Sequence, residues 1–219
     1  MSSANGRIFA IGDIHGCAQK LDQLLSRLPF TSKDLLIFLG DYINRGPDSK
    51  GVLERLIRLE RSGQQTVFLL GNHENLLLEY YRSPDENLIR YLRQNGIEQT
   101  LESYGARDLS HLYDMGFMPE EHRRFLERLE LYHETDDYIF VHAGIVPGRA
   151  LTEQGAQELC EIRDIFIEDG SDYGKRVIFG HTPFELPLVA RNKIGIDTGA
   201  AYGNLLTAVQ LPDEIFYHA

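Results

Sequence analysis

Short apolar runs of strand length recur along the chain, and early on they alternate with helix-like segments. The runs lie at 7–11, 35–39, 66–70, 138–141, 176–179, 193–196 and 205–211, and most are rich in Ile, Val or Phe. Between the first three runs, apolar side chains recur at helical spacing over 18–28 and 50–60. Alternation of strand and helix favours βαβ units and an α/β core.

The middle of the chain differs from both ends. From about residue 74 to residue 134 it is strongly charged, helix-rich and almost free of β-branched runs, which predicts a helical insertion over one edge of the sheet. The last third carries several strands with short turns, typical of a second, more antiparallel sheet. We therefore predict one domain over 1–219 with an α/β fold: a two-layer β-sandwich of mixed sheets flanked by helices, with a helical insertion.

Composition and charge narrow the function. No stretch approaches the roughly 20 apolar residues of a membrane span, and the start of the chain lacks the pattern of a signal peptide, so we expect a soluble, cytoplasmic protein. A formal charge of −11 disfavours nucleic acid as a partner, whereas the surplus carboxylates could hold cations. Only Cys17 and Cys160 are present, and we interpret them as free thiols in a reducing compartment.

Ligand-type side chains follow glycines where the predicted strands end. The segments are GDIHG at 12–16, GDYINRG at 40–46, GNHE at 71–74, HAG at 142–144 and GHT at 180–182. The candidate metal ligands in them are Asp13, His15, Asp41, Asn72, His142 and His181. We expect these to converge, because strand carboxyl ends line the crevice of an open α/β sheet. Their mixture of oxygen and nitrogen atoms suits manganese, iron or zinc, and six ligands favour two ions sharing a carboxylate.

The order of these motifs resembles the phosphoprotein phosphatase-type metallophosphatases of the calcineurin-like metallophosphoesterase superfamily, whose signatures read GDxHG, GDxVDRG and GNHE. The resemblance runs from about residue 8 to residue 203. It implies that Asp13 and His15 bind a first divalent ion and that Asp41 bridges both ions. It assigns the second ion to Asn72, His142 and His181.

The resemblance also implies catalytic roles. Arg45 and Arg163 match arginines that hold phosphate oxygens, and their planar forks suit that task. His73 matches the residue proposed to protonate the leaving oxygen. The two ions, with manganese expected and iron or zinc as alternatives, would lower the pKa of a shared water, so that a metal-bound hydroxide attacks the phosphorus.

Two positions depart from the family pattern. Asn44 replaces the aspartate of VDRG that pairs with the GNHE histidine, and Leu70 stands where many eukaryotic-type members carry an arginine. We expect Asn44 to accept a hydrogen bond from His73 without adding charge, which disfavours the protonated imidazole. This predicts activity that favours good leaving groups or mildly acidic conditions.

We expect a metal-dependent phosphatase for phosphomonoesters, with phosphoserine and phosphothreonine in proteins as the first substrate class. An alternative is a symmetrical dinucleoside tetraphosphate hydrolase, because bacterial relatives of that type share the core motifs and vary at the same places. A third hypothesis is a pseudoenzyme that binds phosphorylated partners without turnover. Substrate choice is expected to reside in the helical insertion and the loops.

Overall fold

The computed structural model describes residues 6–219, which contain ten strands and eight α-helices. The strands are β1 Ile8–Ile11, β2 Leu35–Phe38, β3 Gln65–Phe68, β4 Tyr132–Glu134, β5 Tyr138–Val141, β6 Arg176–Phe179, β7 Leu188–Val189, β8 Lys193–Gly195, β9 Thr207–Leu211 and β10 Ile215–His218. The helices are α1 Ala18–Arg27, α2 Ser49–Arg61, α3 Asn72–Arg82, α4 Glu86–Gln94, α5 Ile97–Ser103, α6 Glu120–Glu127, α7 Ala156–Glu161 and α8 Asp164–Ile167. Within 6–219, no helix is both long and apolar enough to cross a membrane.

The strands form two mixed sheets, as the sequence predicted, and each sheet has five strands. The first has the order β10-β9-β1-β2-β3, with β1, β2 and β3 parallel and the β9–β10 hairpin antiparallel. The second has the order β4-β5-β6-β8-β7, with β5, β6 and β8 parallel and antiparallel strands only at its edges. The expected antiparallel character of the second sheet was therefore wrong at its centre, because the C-terminal hairpin joins the first sheet instead.

Alternating side chains bury both faces of the sheets. In β1, Phe9 and Ile11 pack against helices, whereas Ala10 points between the two sheets towards Ile178 and Ile194. A third cluster covers the outer face of the second sheet. The layers are thus helices, sheet, sheet, helices, and the carboxyl ends of the parallel strands of both sheets meet at one rim.

The middle of the chain is helical as predicted, with α3, α4, α5 and α6 lying between Asn72 and Glu127. Its last residues differ from the prediction, since Tyr132–Glu134 pair with β5 as an edge strand. Three residues without an apolar run gave no strand signal. α5 lies against α2 and carries the buried Thr100 to the loop that follows β2.

Candidate metal centre

The loops that follow the strands contain most of the backbone strain. Seven non-glycine residues among 6–219 have a positive φ, and five of them lie at the rim: His15, Asp41, Asn44, Arg45 and His181, with φ between +45° and +70°. Such conformations cost about 1–3 kcal/mol each and concentrate where a site over-determines the backbone. The rim is therefore the part of the described structure where a functional site is expected.

Gly40 permits the close approach of three loops. It has a φ of +106°, and a Cβ there would lie 2.7 Å from the Gly71 nitrogen and 2.9 Å from His142 Nδ1. Neither neighbour could yield without moving a backbone or a candidate ligand. A residue without a side chain is required for the loops after β2, β3 and β5 to meet.

A first group of potential ligand atoms comes from His15, Asp41 and His73, which all lie within 4.8 Å of one another. His15 Nε2 is 3.3 Å and His73 Nε2 is 3.9 Å from Asp41 Oδ2. All three side chains are buried. The family resemblance pairs His15 with Asp13 rather than with His73.

A second group contains Asp41, His142 and His181, again within 4.8 Å. Asn72 joins it, because its Oδ1 is 3.2 Å from His142 Nε2 and 3.0 Å from His181 Nδ1. Four of the six predicted ligands thus converge here. Asp41 belongs to both groups, as a bridging carboxylate would.

Backbone carbonyls orient two of the imidazoles. Nδ1 of His15 lies 3.0 Å from the Ile43 oxygen, and Nδ1 of His142 lies 2.7 Å from the Leu39 oxygen. A histidine that donates from Nδ1 to a carbonyl keeps a lone pair on Nε2. In both residues, Nε2 faces an oxygen of Asp41.

The second group fits a cation. Nε2 of His142 faces Asp41 Oδ1 at 3.5 Å and Asn72 Oδ1 at 3.2 Å, so atoms bearing lone pairs face one another. They repel unless a proton or a metal ion lies among them. Burial disfavours a charged His142, but the Asp41 carboxylate outweighs burial and raises the pKa of His142 to about 10. In the absence of metal, a proton therefore takes the place of a cation, and the donor set suits a first-row divalent ion.

Asp13 lies beside the two groups of candidate ligands and belongs to neither. Each of its two carboxylate oxygens is 3.1 Å from the backbone nitrogen of His181, and both accept the N–H of that nitrogen. Burial, together with the charge of Asp197, raises the pKa of Asp13 well above its usual range. Asp197 is not among the candidate residues predicted from the sequence, although it directly follows an apolar run at 193–196, the pattern that marks the other motifs.

Asn44 contacts His73 inside the protein, with its Nδ2 at 2.9 Å from His73 Nδ1. The expectation that Asn44 accepts a hydrogen bond from His73 was wrong, because Thr100 Oγ1 donates to Asn44 Oδ1 at 2.7 Å and so turns the amide nitrogen towards the histidine. Burial lowers the pKa of His73 to about 3, against the attraction of Asp41. His73 is therefore a neutral imidazole.

Both predicted arginines lie near the two groups. Arg45 Nη1 is 2.7 Å from His15 Nε2, and its guanidinium lies 5.3 Å from the centre of the exposed Tyr202 ring. Arg163 is exposed, immediately precedes α8 and donates to Thr182 Oγ1 at 3.4 Å, next to His181. Cationic groups thus flank the acidic and imidazole cluster on two sides.

Glu74 is a positioning residue that the sequence analysis missed. Its buried carboxylate accepts hydrogen bonds from four backbone N–H groups, those of Asp41 (2.9 Å), Tyr42 (2.9 Å), Ile43 (3.1 Å) and Gly71 (3.2 Å). Burial and then the charge of Asp41 raise the pKa of Glu74 to about 7. A glutamate in the first turn of α3, three residues after Gly71, is a capping-box signal that could have identified it.

The family follows from a direct comparison. The profile described as calcineurin-like phosphoesterase matches residues 6–193, so the chain belongs to this family of metallophosphoesterases, enzymes that use divalent metal ions. Bis(5'-nucleosyl)-tetraphosphatase PrpE (asymmetrical) of Oceanobacillus iheyensis is 28% identical over 96% of this chain and 90% of that protein. The protein of the same name from Bacillus thuringiensis is 30% identical over 93% of this chain and 89% of its own length.

Solved structures support the fold. A candidate diadenosine tetraphosphatase superimposes with a TM-score of 0.72 and 25% identity, covering 100% of this chain and 95% of that one. A protein serine/threonine phosphatase from Saccharomyces cerevisiae superimposes with a TM-score of 0.59 and 15% identity, covering 99% of this chain and 80% of that one. The second likeness concerns the fold alone. Together they confirm the two mixed sheets flanked by helices.

Proposed function

We propose that this metallophosphoesterase hydrolyses the phosphoanhydride chain of dinucleoside polyphosphates. The observation that carries the proposal is the contact between Asn44 Nδ2 and His73 Nδ1, which leaves Nδ1 of His73 without a carboxylate partner. A neutral imidazole is a weak proton donor, so the leaving oxygen has to depart with little protonation. A phosphate leaving group does so readily, whereas the alkoxide of serine or threonine does not.

The similarity to relatives also favours a dinucleoside polyphosphate over a phosphoprotein as the substrate. Their names describe tetraphosphatases, so we place the dinucleoside alternative ahead of the phosphoprotein substrate that the sequence first favoured. Those names also specify asymmetrical cleavage, whereas the sequence analysis considered symmetrical cleavage. We therefore propose an unequal split of the tetraphosphate, into a nucleoside triphosphate and a nucleoside monophosphate. A cytoplasmic location remains a prediction from the sequence.

Two divalent ions, with manganese first and iron or zinc as alternatives, are proposed as cofactors. When bound, they supply an activated water near neutral pH and neutralise phosphoryl charge. Asp41 would hold both ions, His15 and Asp13 the first, and Asn72, His142 and His181 the second. The carbonyls of Ile43 and Leu39 keep two of the imidazoles in the tautomer that ligation needs.

The remaining residues act on the substrate. Arg45 contacts His15 and lies at the edge of the cluster, where its guanidinium can move onto phosphate oxygens. Arg163, exposed beside the loop after His181, can hold a more distal phosphate. The Nε2–H of His73 can donate a hydrogen bond to the leaving oxygen as its charge develops.

The test is a product analysis of the manganese-loaded protein with three substrates: diadenosine tetraphosphate, a phosphoserine peptide and an aryl phosphate. We expect ATP and AMP in equal amounts from the first, and turnover at least a hundredfold slower with the peptide. Asp41→Asn is the control and should abolish all three activities. Faster turnover of the peptide would overturn the substrate assignment, two ADP would overturn the asymmetrical split, and no turnover of any substrate would favour the pseudoenzyme.

A further inference from the structure

A chain of four buried side chains connects the helical insertion to His73. Ser49 Oγ, at the start of α2, is 3.0 Å from Thr100 Oγ1 on α5, and Thr100 Oγ1 is 2.7 Å from Asn44 Oδ1. Asn44 Nδ2 is in turn 2.9 Å from His73 Nδ1. All four residues are fully buried, so the hydroxyl hydrogens of Ser49 and Thr100 each need an acceptor inside the protein.

The direction of these hydrogen bonds follows from the hydroxyl of Ser49. Its two polar neighbours among the described residues are Thr100 Oγ1 and the backbone N–H of Asn44, and the N–H is itself a donor. The Ser49 hydrogen therefore goes to Thr100, and the Thr100 hydrogen goes to Asn44 Oδ1. In the opposite orientation of the Asn44 amide, its N–H groups would face Thr100 Oγ1. One of the two hydroxyl hydrogens of Ser49 and Thr100 would then have no acceptor.

We propose that Ser49 and Thr100 are positioning residues that fix the tautomer of His73. The hydrogen bonds run one way, from Ser49 to Thr100 to Asn44 to His73, so Nδ1 of His73 is an acceptor and its hydrogen resides on Nε2. That Nε2 is buried, lies 3.9 Å from Asp41 Oδ2 and has no hydrogen-bond partner among residues 6–219. Its N–H is thus free to donate to a substrate oxygen.

The helical insertion thereby helps to position a side chain of the site. α5 is unmatched by the motifs, yet its Thr100 decides which atom of Asn44 faces His73. The tautomer stands on the hydrogen bonds alone, whereas its use towards a leaving group rests on the proposed function. The two can therefore be tested apart.

The tautomer is tested by long-range proton–nitrogen spectra of histidine-labelled, zinc-loaded protein. We expect the His73 hydrogen on Nε2 in the wild type and in Thr100→Ser, which keeps the hydroxyl. In Thr100→Val, which removes the hydroxyl at nearly constant shape, we expect a mixture of tautomers. Ser103→Ala is the matched control on α5, because Ser103 contacts Lys50 and the Thr100 carbonyl but not Asn44, and it should keep the wild-type spectrum.

A kinetic measurement complements the spectra. Thr100→Val is expected to lower kcat for diadenosine tetraphosphate about tenfold with KM nearly unchanged, and Thr100→Ser should restore it. A wild-type spectrum with the His73 hydrogen on Nδ1 would overturn the inference without any variant. So would a Thr100→Val protein with the wild-type spectrum and kcat. If the wild type hydrolyses no phosphate compound while the spectra change as expected, the proposed function fails and the positioning role stands.

Discussion

The amide nitrogen of Asn44 lies 2.9 Å from Nδ1 of His73, and both side chains are fully buried. The hydrogen bond runs from the asparagine to the histidine, the reverse of what a carboxylate at residue 44 would impose. A histidine that accepts at Nδ1 is kept neutral, so it serves as a hydrogen-bond donor rather than as a strong acid. The contact therefore links one residue to the kind of leaving group that the site can handle.

Replacing Asn44 by aspartate should reverse that preference. A carboxylate would accept from Nδ1–H and stabilise the imidazolium, so His73 could protonate a poor leaving group. We expect Asn44→Asp to raise kcat/KM for an alkyl phosphomonoester at least tenfold, and that for an aryl phosphate less than threefold. Steady-state rates with both esters give the ratio of the two kcat/KM values.

Asn204→Asp provides the control for this change in charge. Asn204 lies in the loop after Tyr202, where its Nδ2 donates to the Glu185 carbonyl. The Asn204→Asp substitution adds the same charge without contacting His73. The ratio of kcat/KM for the alkyl ester to that for the aryl ester should therefore stay constant. An unchanged ratio in Asn44→Asp would contradict the role assigned to the amide.

Glu74 should be required for stability, because one carboxylate accepts four backbone hydrogen bonds inside the protein. Glu74→Gln offers a single acceptor oxygen and turns two N–H groups towards other N–H groups. Urea unfolding should show a loss of about 2–4 kcal/mol. Glu79→Gln, at an exposed residue of the same helix, should lose less than about 1 kcal/mol. Equal losses in the two variants would refute the special role of Glu74.

Asp34 should make stability depend on pH in the acid range. Burial alone would raise its pKa, but the Arg7 guanidinium and the N–H groups of Arg7 and Thr31 outweigh burial and lower the pKa to about 2. A carboxyl with a depressed pKa stabilises the fold above its unfolded pKa of about 4 and loses that contribution as pH falls to about 2. Asp34→Asn should therefore cost about 2 kcal/mol at pH 7, and the difference from the wild type should shrink below pH 4.

The comparison for Asp34 is Asp22→Asn. Asp22 pairs with Arg55 at an exposed position, and such pairs contribute about 0–1 kcal/mol. Unfolding curves for the three proteins at pH 7, 4 and 2.5 provide the data. A gap between wild type and Asp34→Asn that persists unchanged at pH 2.5 would exclude this linkage.

Metal binding should release protons. The pKa of His142 is about 10 in the metal-free protein, so this proposed ligand is protonated at pH 7 and has to lose its proton before it can bind an ion. Raising the pH reduces that competition, and manganese affinity should increase about tenfold per pH unit between pH 6 and 9. Calorimetric titration of protein freed of metal with a chelator, in buffers of different ionisation enthalpy, measures both the number of protons released and the manganese affinity. An affinity that does not change with pH would contradict the assignment.

The strand-end motifs made much of this site predictable from sequence. Asp41, Asn72 and His142 each follow an apolar run directly or after a glycine, and parallel strands bring their carboxyl ends to one rim. Their grouping in the structure is what that rule predicts. The helical insertion was also visible, since its charge and helical spacing differ from the rest of the chain.

Other features depend on contacts between distant residues and gave no local signal. The direction of the Asn44 hydrogen bond is set by Thr100, 56 residues later in the chain. The edge strand β7 has two residues, too few for a periodic pattern. The β9–β10 hairpin joins the first sheet because β9 pairs with β1, about two hundred residues away. Such pairings follow from the whole fold rather than from any segment.

The most direct test of the central claim, that Asp41 joins two cation sites, is an anomalous-difference map from crystals of the manganese-loaded protein, with Asp41→Asn crystals as the control. We expect two peaks about 3.5–4 Å apart in the wild type. One should lie between Asp41 and His15, and the other among Asp41, Asn72, His142 and His181; the variant should lose at least one of them. A single peak in the wild type, or two peaks of which neither contacts Asp41, would contradict the account.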